Sequence, residues 1–252
     1  MSKVIVITGA SGGIGAALAK NLGARGNHLV LAARREPELL RVAGESGNAL
    51  PVVTDVTRRS DVERLFRAAL DKFGRVDVWI NNAGRGINRK VLDLTDEDFD
   101  AMMAVNVKSA LYGMQCIVPH FQERGEGHLI NVSSFLGRVP FVTARSAYNA
   151  AKSALGILTA NLRVDLRRTH PNIHVSLVMP GVVTTEFSTN ALYGVPLVMR
   201  PGSQVAVQSA DEVAAAVSDL IDHPAAELYT NPSSRDTALK YFSDVEAFEA
   251  HF

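Results

Sequence analysis

Short β-branched runs alternate along this chain with longer stretches of helical periodicity, and few folds accommodate that alternation. The runs are Val4 to Thr8, Leu29 to Ala33, Leu50 to Thr54, Val76 to Asn81, His128 to Ser133 and His174 to Met179. Between them the apolar spacing predicts helices over Gly13 to Gly26, Ser60 to Phe73, Glu97 to Gln122 and Ala147 to Arg168. Strands separated by helices pair in parallel, with the helices covering both faces of the sheet. The expected fold class is therefore α/β, a doubly wound parallel sheet in three α/β/α layers, which binds ligands beyond the carboxyl ends of its strands. With 252 residues and 47% hydrophobic composition, the chain suits a single domain over 1–252 with a full core. The stretch from Glu186 to Gln208 breaks the rhythm with Gly194, Pro196, Pro201 and Gly202 among apolar residues, and reads as a substrate lid.

Charge and composition exclude several function classes. Lys+Arg and Asp+Glu are both 26 and the cations are scattered, so no field favours nucleic acid or an acidic membrane. Cys116 stands alone, which rules out an internal disulfide and a cysteine-rich zinc site and fits a reducing compartment. His28, His120, His128, His170, His174, His223 and His251 show no metal-ligand spacing and read as surface or core histidines, so no metal is expected. Neither a secretory signal nor a membrane span is legible, and the expectation is a soluble cytoplasmic protein with no membrane partner.

The first strand runs into Thr8-Gly9-Ala10-Ser11-Gly12-Gly13-Ile14-Gly15 and then a helix carrying Leu18 and Leu22 on one face. Glycines let the backbone turn tightly toward a pyrophosphate, and the free N–H groups of the helix start attract its charge. A glycine turn between strand and helix is the Rossmann context for a dinucleotide. About 20 positions beyond Gly15, where an acidic residue would take a ribose 2′-hydroxyl, the chain has Arg34 and Arg35. An arginine fork suits a 2′-phosphate, so NADP(H) is expected over NAD(H), with Arg35 either sharing the phosphate or pointing away.

The chemistry is read from a second cluster. Tyr148 and Lys152 are four apart in a run of good helix formers and share a face, which brings an ammonium near a phenol and favours its ionisation. Tyr148 can then give a proton to a carbonyl oxygen or accept one from an alcohol. Ser134, with Ser133 as competitor, ends the apolar strand from Leu129 and can hydrogen-bond the oxygen where charge develops. Asn106 is an amide in an otherwise apolar helical stretch and needs partners. No Gly-x-Ser-x-Gly elbow supports a hydrolase.

These motifs, in this order, resemble the short-chain dehydrogenase/reductase family: Thr-Gly-x-x-x-Gly-x-Gly, Asp55 after the third strand, Asn81-Asn82-Ala83-Gly84 after the fourth, Asn106, Ser134 in Ser-Ser-x-x-Gly, Tyr148-x-x-x-Lys152 and Pro180-Gly181, over about residues 3 to 186. The resemblance implies catalysis by Asn106, Ser134, Tyr148 and Lys152, with Asn106 holding a water that relays protons to Lys152. It implies cofactor contacts from Gly9, Ser11, Gly13, Ile14, Gly15, Arg34, Arg35, Asp55, Val56, Asn82, Ala83, Gly84, Tyr148, Lys152, Pro180, Gly181, Val183 and Thr185. In it Asp55 meets the adenine, Lys152 the nicotinamide ribose and Thr185 the nicotinamide amide, and Ala33 stands where NAD-selective relatives carry Asp. It also implies a homodimer or homotetramer. Two departures stand out: Ser134 and Tyr148 are one residue farther apart than in many members, in the loop Arg138 to Arg145, and the chain closes without the family's Val-Asp-Gly-Gly-like end. The expected substrate is a small-molecule ketone, aldehyde or secondary alcohol, apolar or amphipathic on the evidence of Phe187 to Met199. Two other readings compete: a non-catalytic NADP(H)-binding regulator or redox sensor, which would not need all of Ser134, Tyr148 and Lys152, and a sugar-nucleotide epimerase or dehydratase, for which the stretch after Glu186 is short.

Overall fold

The computed structural model describes residues 2–194 and 206–250. Its main sheet contains β1 (Val4–Thr8), β2 (His28–Ala33), β3 (Ala49–Val53), β4 (Val78–Asn81), β5 (Gly127–Val132), β6 (Ile173–Met179) and β9 (Glu227–Tyr229) in the order β3-β2-β1-β4-β5-β6-β9. Every neighbouring pair is parallel. β7 (Val182–Thr184) and β8 (Val207–Ser209) pair separately beside the carboxyl end.

Side chains alternate across the pleat, so a strand covered on both faces feeds two cores. Ile5 and Ile7 of β1 enter one core with Leu29 and Leu31, while Val6 enters the other with Val30 and Trp79. The first core is closed by α1 (Gly13–Ala24), α2 (Glu36–Gly44) and α7 (Ala210–Asp222), through residues such as Leu18, Leu39 and Val217. The second is closed by α3 (Arg59–Phe73), α5 (Ser109–Arg124) and α6 (Ser146–Arg167), through Leu65, Phe121 and Leu155. The result is one three-layer α/β/α domain of Rossmann type, with the chain reversing direction across the sheet between β1 and β4.

One expected helix is not continuous. Where the spacing predicts a helix from Glu97 to Gln122, α4 (Asp96–Met103) passes into a π-helical turn over Ala104–Lys108 and then into α5. A capping box from Thr95 and Asp98 starts α4. The wider π turn carries Asn106, whose amide bonds groups outside the helix; such turns recur at functional sites. After Glu186 the fold continues where the sequence offered little periodicity: α7 begins with a Ser209/Glu212 capping box, and α8 (Pro232–Ser243) and α9 (Val245–Glu249) follow β9.

Of the expected lid over 186–208, residues 195–205 lie outside the described residues. Its first part is tied down by main-chain bonds, from Leu192 N–H to the Gly86 carbonyl (2.9 Å) and from Asn88 N–H to the Leu192 carbonyl (2.9 Å). Phe187 and Leu192 pack with Ile87, Met102 and Tyr148 rather than facing water. Among the described residues, no helix is long and apolar enough to cross a membrane.

Candidate active site

A cavity of about 1060 Å³ opens at the carboxyl ends of the strands, running from Arg34 and Asp55 at one end to Ser134, Tyr148 and Arg145 at the other. The glycine turn forms its floor. Gly9 has φ +69°, and a Cβ there would stand 2.8 Å from Ala83 Cα, while one on Gly15 would overlap the Gly9 carbonyl. Gly9 and Gly15 therefore tolerate no side chain, and the turn leaves the start of α1 open to the cavity.

Several residues expected to touch the nucleotide line the cavity and also hold this floor in place. Asn82 donates its side-chain amide to the Thr8 carbonyl (2.8 Å) and the Gly9 carbonyl (3.3 Å), and its own N–H donates to the Thr8 hydroxyl (3.0 Å). The same hydroxyl accepts from Ala83 N–H (3.1 Å), which locks the loop after β4 to the end of β1. Thr185 stands over Gly13, 3.4 Å from where a Cβ would sit. Ile14, Val56, Gly84, Pro180, Gly181 and Val183 line the cavity as well.

Arg34 and Arg35 diverge. Arg35 folds back over the glycine turn, donating to the Ser11 hydroxyl (3.3 Å) and approaching Glu38 (3.5 Å) and Glu186 (3.9 Å). Arg34 forms no ion pair among the described residues, and its guanidinium faces the cavity near Asp55. Burial works against the charge of Asp55, but bonds from the Thr57 hydroxyl (2.7 Å) and N–H (3.0 Å), with Arg34 and Arg58 nearby, hold its carboxyl below the usual range. Asp55 thus caps its own turn in addition to facing the cavity.

At the other end the expected chemical residues converge. Ser134, Tyr148, Lys152 and Asn106 are all buried, from the end of β5, from α6 and from the π turn. Ser134 lies beside Tyr148 and helps to hold the phenol's pKa down, its hydroxyl accepting from Leu136 N–H (3.2 Å), whereas the Ser133 hydroxyl donates to the Lys152 carbonyl (2.8 Å). Both serines line the cavity, but the Ser133 hydroxyl is committed to the main chain of α6. Asn106 donates to the Arg85 carbonyl (2.9 Å) and the Met102 carbonyl (3.0 Å) and accepts from Arg85 N–H (3.2 Å). A Cβ on Gly84 would lie 2.9 Å from Asn106 Oδ1 and 3.4 Å from Lys152 Nζ, so that glycine keeps open the gap on which the two side chains converge.

Electrostatics depart from the sequence expectation in one respect. Burial pushes the Tyr148 hydroxyl above its ordinary value, against the lowering effects of the Ser134 bond and the Arg145 charge. Lys152 Nζ lies 5.7 Å from the Tyr148 ring centre and donates to the Val132 carbonyl (2.8 Å); burial lowers its pKa to about 8. Arg145, a residue the sequence reading passed over, adds the smallest of these effects on the phenol. It stands three positions before Tyr148, so the i, i+3 spacing that places side chains on one helix face was the signal that could have found it.

Comparison with known proteins followed from this geometry. The family model described as short chain dehydrogenase matches residues 3–193. An uncharacterized oxidoreductase of Staphylococcus epidermidis is 36% identical over 193 residues, covering 76% of this chain and 83% of that protein. Among solved structures, a short chain dehydrogenase/reductase from Burkholderia phymatum in complex with NAD superposes with TM-score 0.87 at 27% identity, over 98% of this chain and 95% of that one. A short-chain dehydrogenase from Sphingobium yanoikuyae in complex with NADPH gives TM-score 0.81 at 28% identity, over 94% and 92%.

Proposed function

This chain belongs to the short chain dehydrogenase family, and from that premise we propose that it is an NADP(H)-dependent oxidoreductase acting on a ketone, aldehyde or secondary alcohol, with Tyr148 as general acid/base. The observation that carries the reading is that Ser134, Tyr148 and Lys152 meet in the wall of the same cavity whose floor is the glycine turn. A nicotinamide dinucleotide is the ligand class of both solved neighbours. The residues fit it: a glycine-rich turn at a helix start for the pyrophosphate, a polar pocket at Asp55, and a lysine beside the reacting end.

When bound, the cofactor supplies the hydride, two electrons with one proton, that forms the new C–H bond as the carbonyl π bond opens. The protein's share is proton management and positioning. Ser134 donates to the oxygen on which charge accumulates, and Tyr148 delivers its phenolic proton there to give the alcohol. Lys152 and Asn106 sit behind Tyr148, where a water between them would return the proton. In the oxidative direction each transfer reverses. Asp55, Asn82 and Thr185 would serve the cofactor, Asn82 by holding the turn.

The preference for NADP(H) rests on Arg34, which lines the cavity and forms no ion pair among the described residues, and on Ala33, which offers no carboxylate against a 2′-phosphate. Arg35 supports this by neutralising the rim rather than by a second fork. A homodimer or homotetramer is supported by Ile157 and Val164, exposed on the outer face of α6. Cytoplasmic residence rests on the lone Cys116.

The test follows nicotinamide absorbance with a panel of ketones, aldehydes and secondary alcohols, comparing kcat/KM for NADPH and NADH. Turnover of at least one carbonyl compound with NADPH preferred about tenfold or more is expected, since a charge-assisted phosphate contact is worth that much. Binding without turnover would favour the regulator reading, and equal use of NADH would remove the cofactor assignment.

A further inference from the structure

The substrate end of the cavity holds a cation that nothing in the reaction above requires. Arg145 precedes α6, and its guanidinium lines the cavity beside Tyr148, Phe187 and Ser188. Nη2 donates to the Ser188 hydroxyl (3.1 Å), and the guanidinium carbon is 5.8 Å from the Phe187 ring centre, which in turn is 5.4 Å from that of Tyr148. Nη1 is buried without any hydrogen-bond partner among the described residues, and no carboxylate pairs with this side chain there. Arginine keeps its charge under all ordinary conditions, so a half-buried guanidinium without a counter-charge costs stability. Buried charges are normally paired, and the exceptions gather at sites where a ligand completes them.

The surroundings keep the guanidinium where it is. Gly86 lies directly beneath it: a Cβ at that position would overlap Nη1 and stand 3.0 Å from Phe187. Arg85, the next cation along the wall, is committed to the Asn190 carbonyl (3.1 Å). The aromatic face of Phe187 offers the cation some attraction but no hydrogen-bond acceptor.

We propose that Arg145 recognises an acidic group on the substrate, so that the compound reduced or oxidised at Tyr148 is a short oxo acid or hydroxy acid whose carboxylate pairs with the guanidinium. A planar fork of donors matches a carboxylate in two parallel bonds, and its place three residues before the acid/base ties the two groups of the substrate to one end of one helix. The carbonyl and carboxylate are then separated by only a few bonds, because the guanidinium (5.8 Å) and the Tyr148 ring (5.4 Å) both flank the one ring of Phe187. This replaces the apolar substrate expected from Phe187 to Met199, and it rests on the carbonyl-reductase reading above.

The experiment compares 2-oxo, 3-oxo and 4-oxo pentanoates with their methyl esters, in the wild type, Arg145→Gln, Arg145→Lys and Gly86→Ala. The wild type is expected to use the acid at one spacing at least tenfold better than its ester, and Arg145→Gln to lose about 10- to 100-fold more on the acid than on the ester, as for a lost charge-assisted bond; the loss on the ester reads the separate effect of the Arg145 charge on Tyr148. Arg145→Lys restores part of the preference, and Gly86→Ala removes it by displacing the guanidinium with its charge intact. In parallel, calorimetry measures binding of the same acids with oxidised cofactor, where no reduction occurs. An ester used as well as its acid by the wild type, or equal losses on both in Arg145→Gln, overturns the proposal. If no compound turns over, the oxidoreductase reading fails, while acid binding that vanishes in Arg145→Gln sustains the anion site and its absence in the wild type ends it.

Discussion

The two ends of the same parallel sheet treat buried charge in opposite ways. At the amino end, Asp77 before β4 accepts from Val4 N–H (2.7 Å) and is paired with Arg75 (3.0 Å) and Arg124 (2.9 Å). His128 nearby, bonded to the Ser176 hydroxyl (2.8 Å), avoids charge altogether, since burial lowers its pKa to about 3. At the carboxyl end, the side chains of Lys152 and Arg145 are cations that, among the described residues, bond only neutral oxygens, a carbonyl and a hydroxyl. The charge at the amino end is paired and serves the fold, while His128 Nδ1 stays neutral and buried with no partner among the described residues; the cations at the carboxyl end serve whatever enters it. The side chains at each end produce this difference.

That contrast sets the size and kind of effect that substitutions should have. The largest belongs to Tyr148→Phe, which removes one proton and little volume. Turnover should fall by about 10²- to 10⁴-fold while cofactor affinity, read by fluorescence titration, and thermal stability stay near wild type. A variant within about tenfold of wild type would take Tyr148 out of the acid/base role and make the carboxyl end merely a binding surface.

At the amino end the order of sensitivities inverts. Asp77→Asn should cost about 2–4 kcal/mol in stability, seen as a lowered unfolding midpoint, with kcat/KM unchanged well below the transition. Burial opposes the Asp77 charge, but bonds from Val4, Arg75 and Arg124 outweigh it and lower the folded pKa. Its contribution is therefore complete above the unfolded value, about pH 4, and is lost as pH falls through the folded one. A loss of activity without loss of stability would break the division between the ends.

The sequence made the two ends unequally legible. Six of the seven strands, the glycine turn and the convergence of Ser134, Tyr148 and Lys152 were readable, because periodicity and fixed spacing are local properties. β9, with only three residues, and α2, with nine, carry too little pattern to stand out. The π turn at Asn106 was hidden because the Met102 to Lys108 stretch keeps helical composition while its hydrogen bonding changes. Asn82 read as a ligand neighbour, yet its amide is spent on Thr8 and Gly9, a contact between segments far apart in the chain. Arg145 was missed for the same reason: its meaning depends on Gly86 and Ser188, which no spacing connects to it.

The smallest effect sharpens the comparison most. Because burial lowers Lys152 to about 8, against about 10.4 in an unfolded chain, the folded state holds this charge at a cost near neutrality. Lys152→Met should abolish turnover yet stabilise the protein by about 1–2 kcal/mol at pH 7, the relieved burial cost exceeding the lost Val132 bond. Between pH 8 and about 10.4 the unfolded state binds the extra proton, so wild-type stability gains on the variant as pH rises. Chemical denaturation across that range measures it; a variant less stable than wild type at pH 7 would mean that the lysine is there for the fold.

The stitching of Leu192 to Gly86 and Asn88 has a consequence for how such a protein changes over time. These bonds join main chain to main chain, so they are indifferent to which side chains the segment carries. Substitutions at Phe187 or Ser188 can alter what the pocket accepts without moving the strap that presents them. Selection for a new substrate can thus proceed by exchanging letters on a fixed line, while the proton-handling residues behind it keep their alignment.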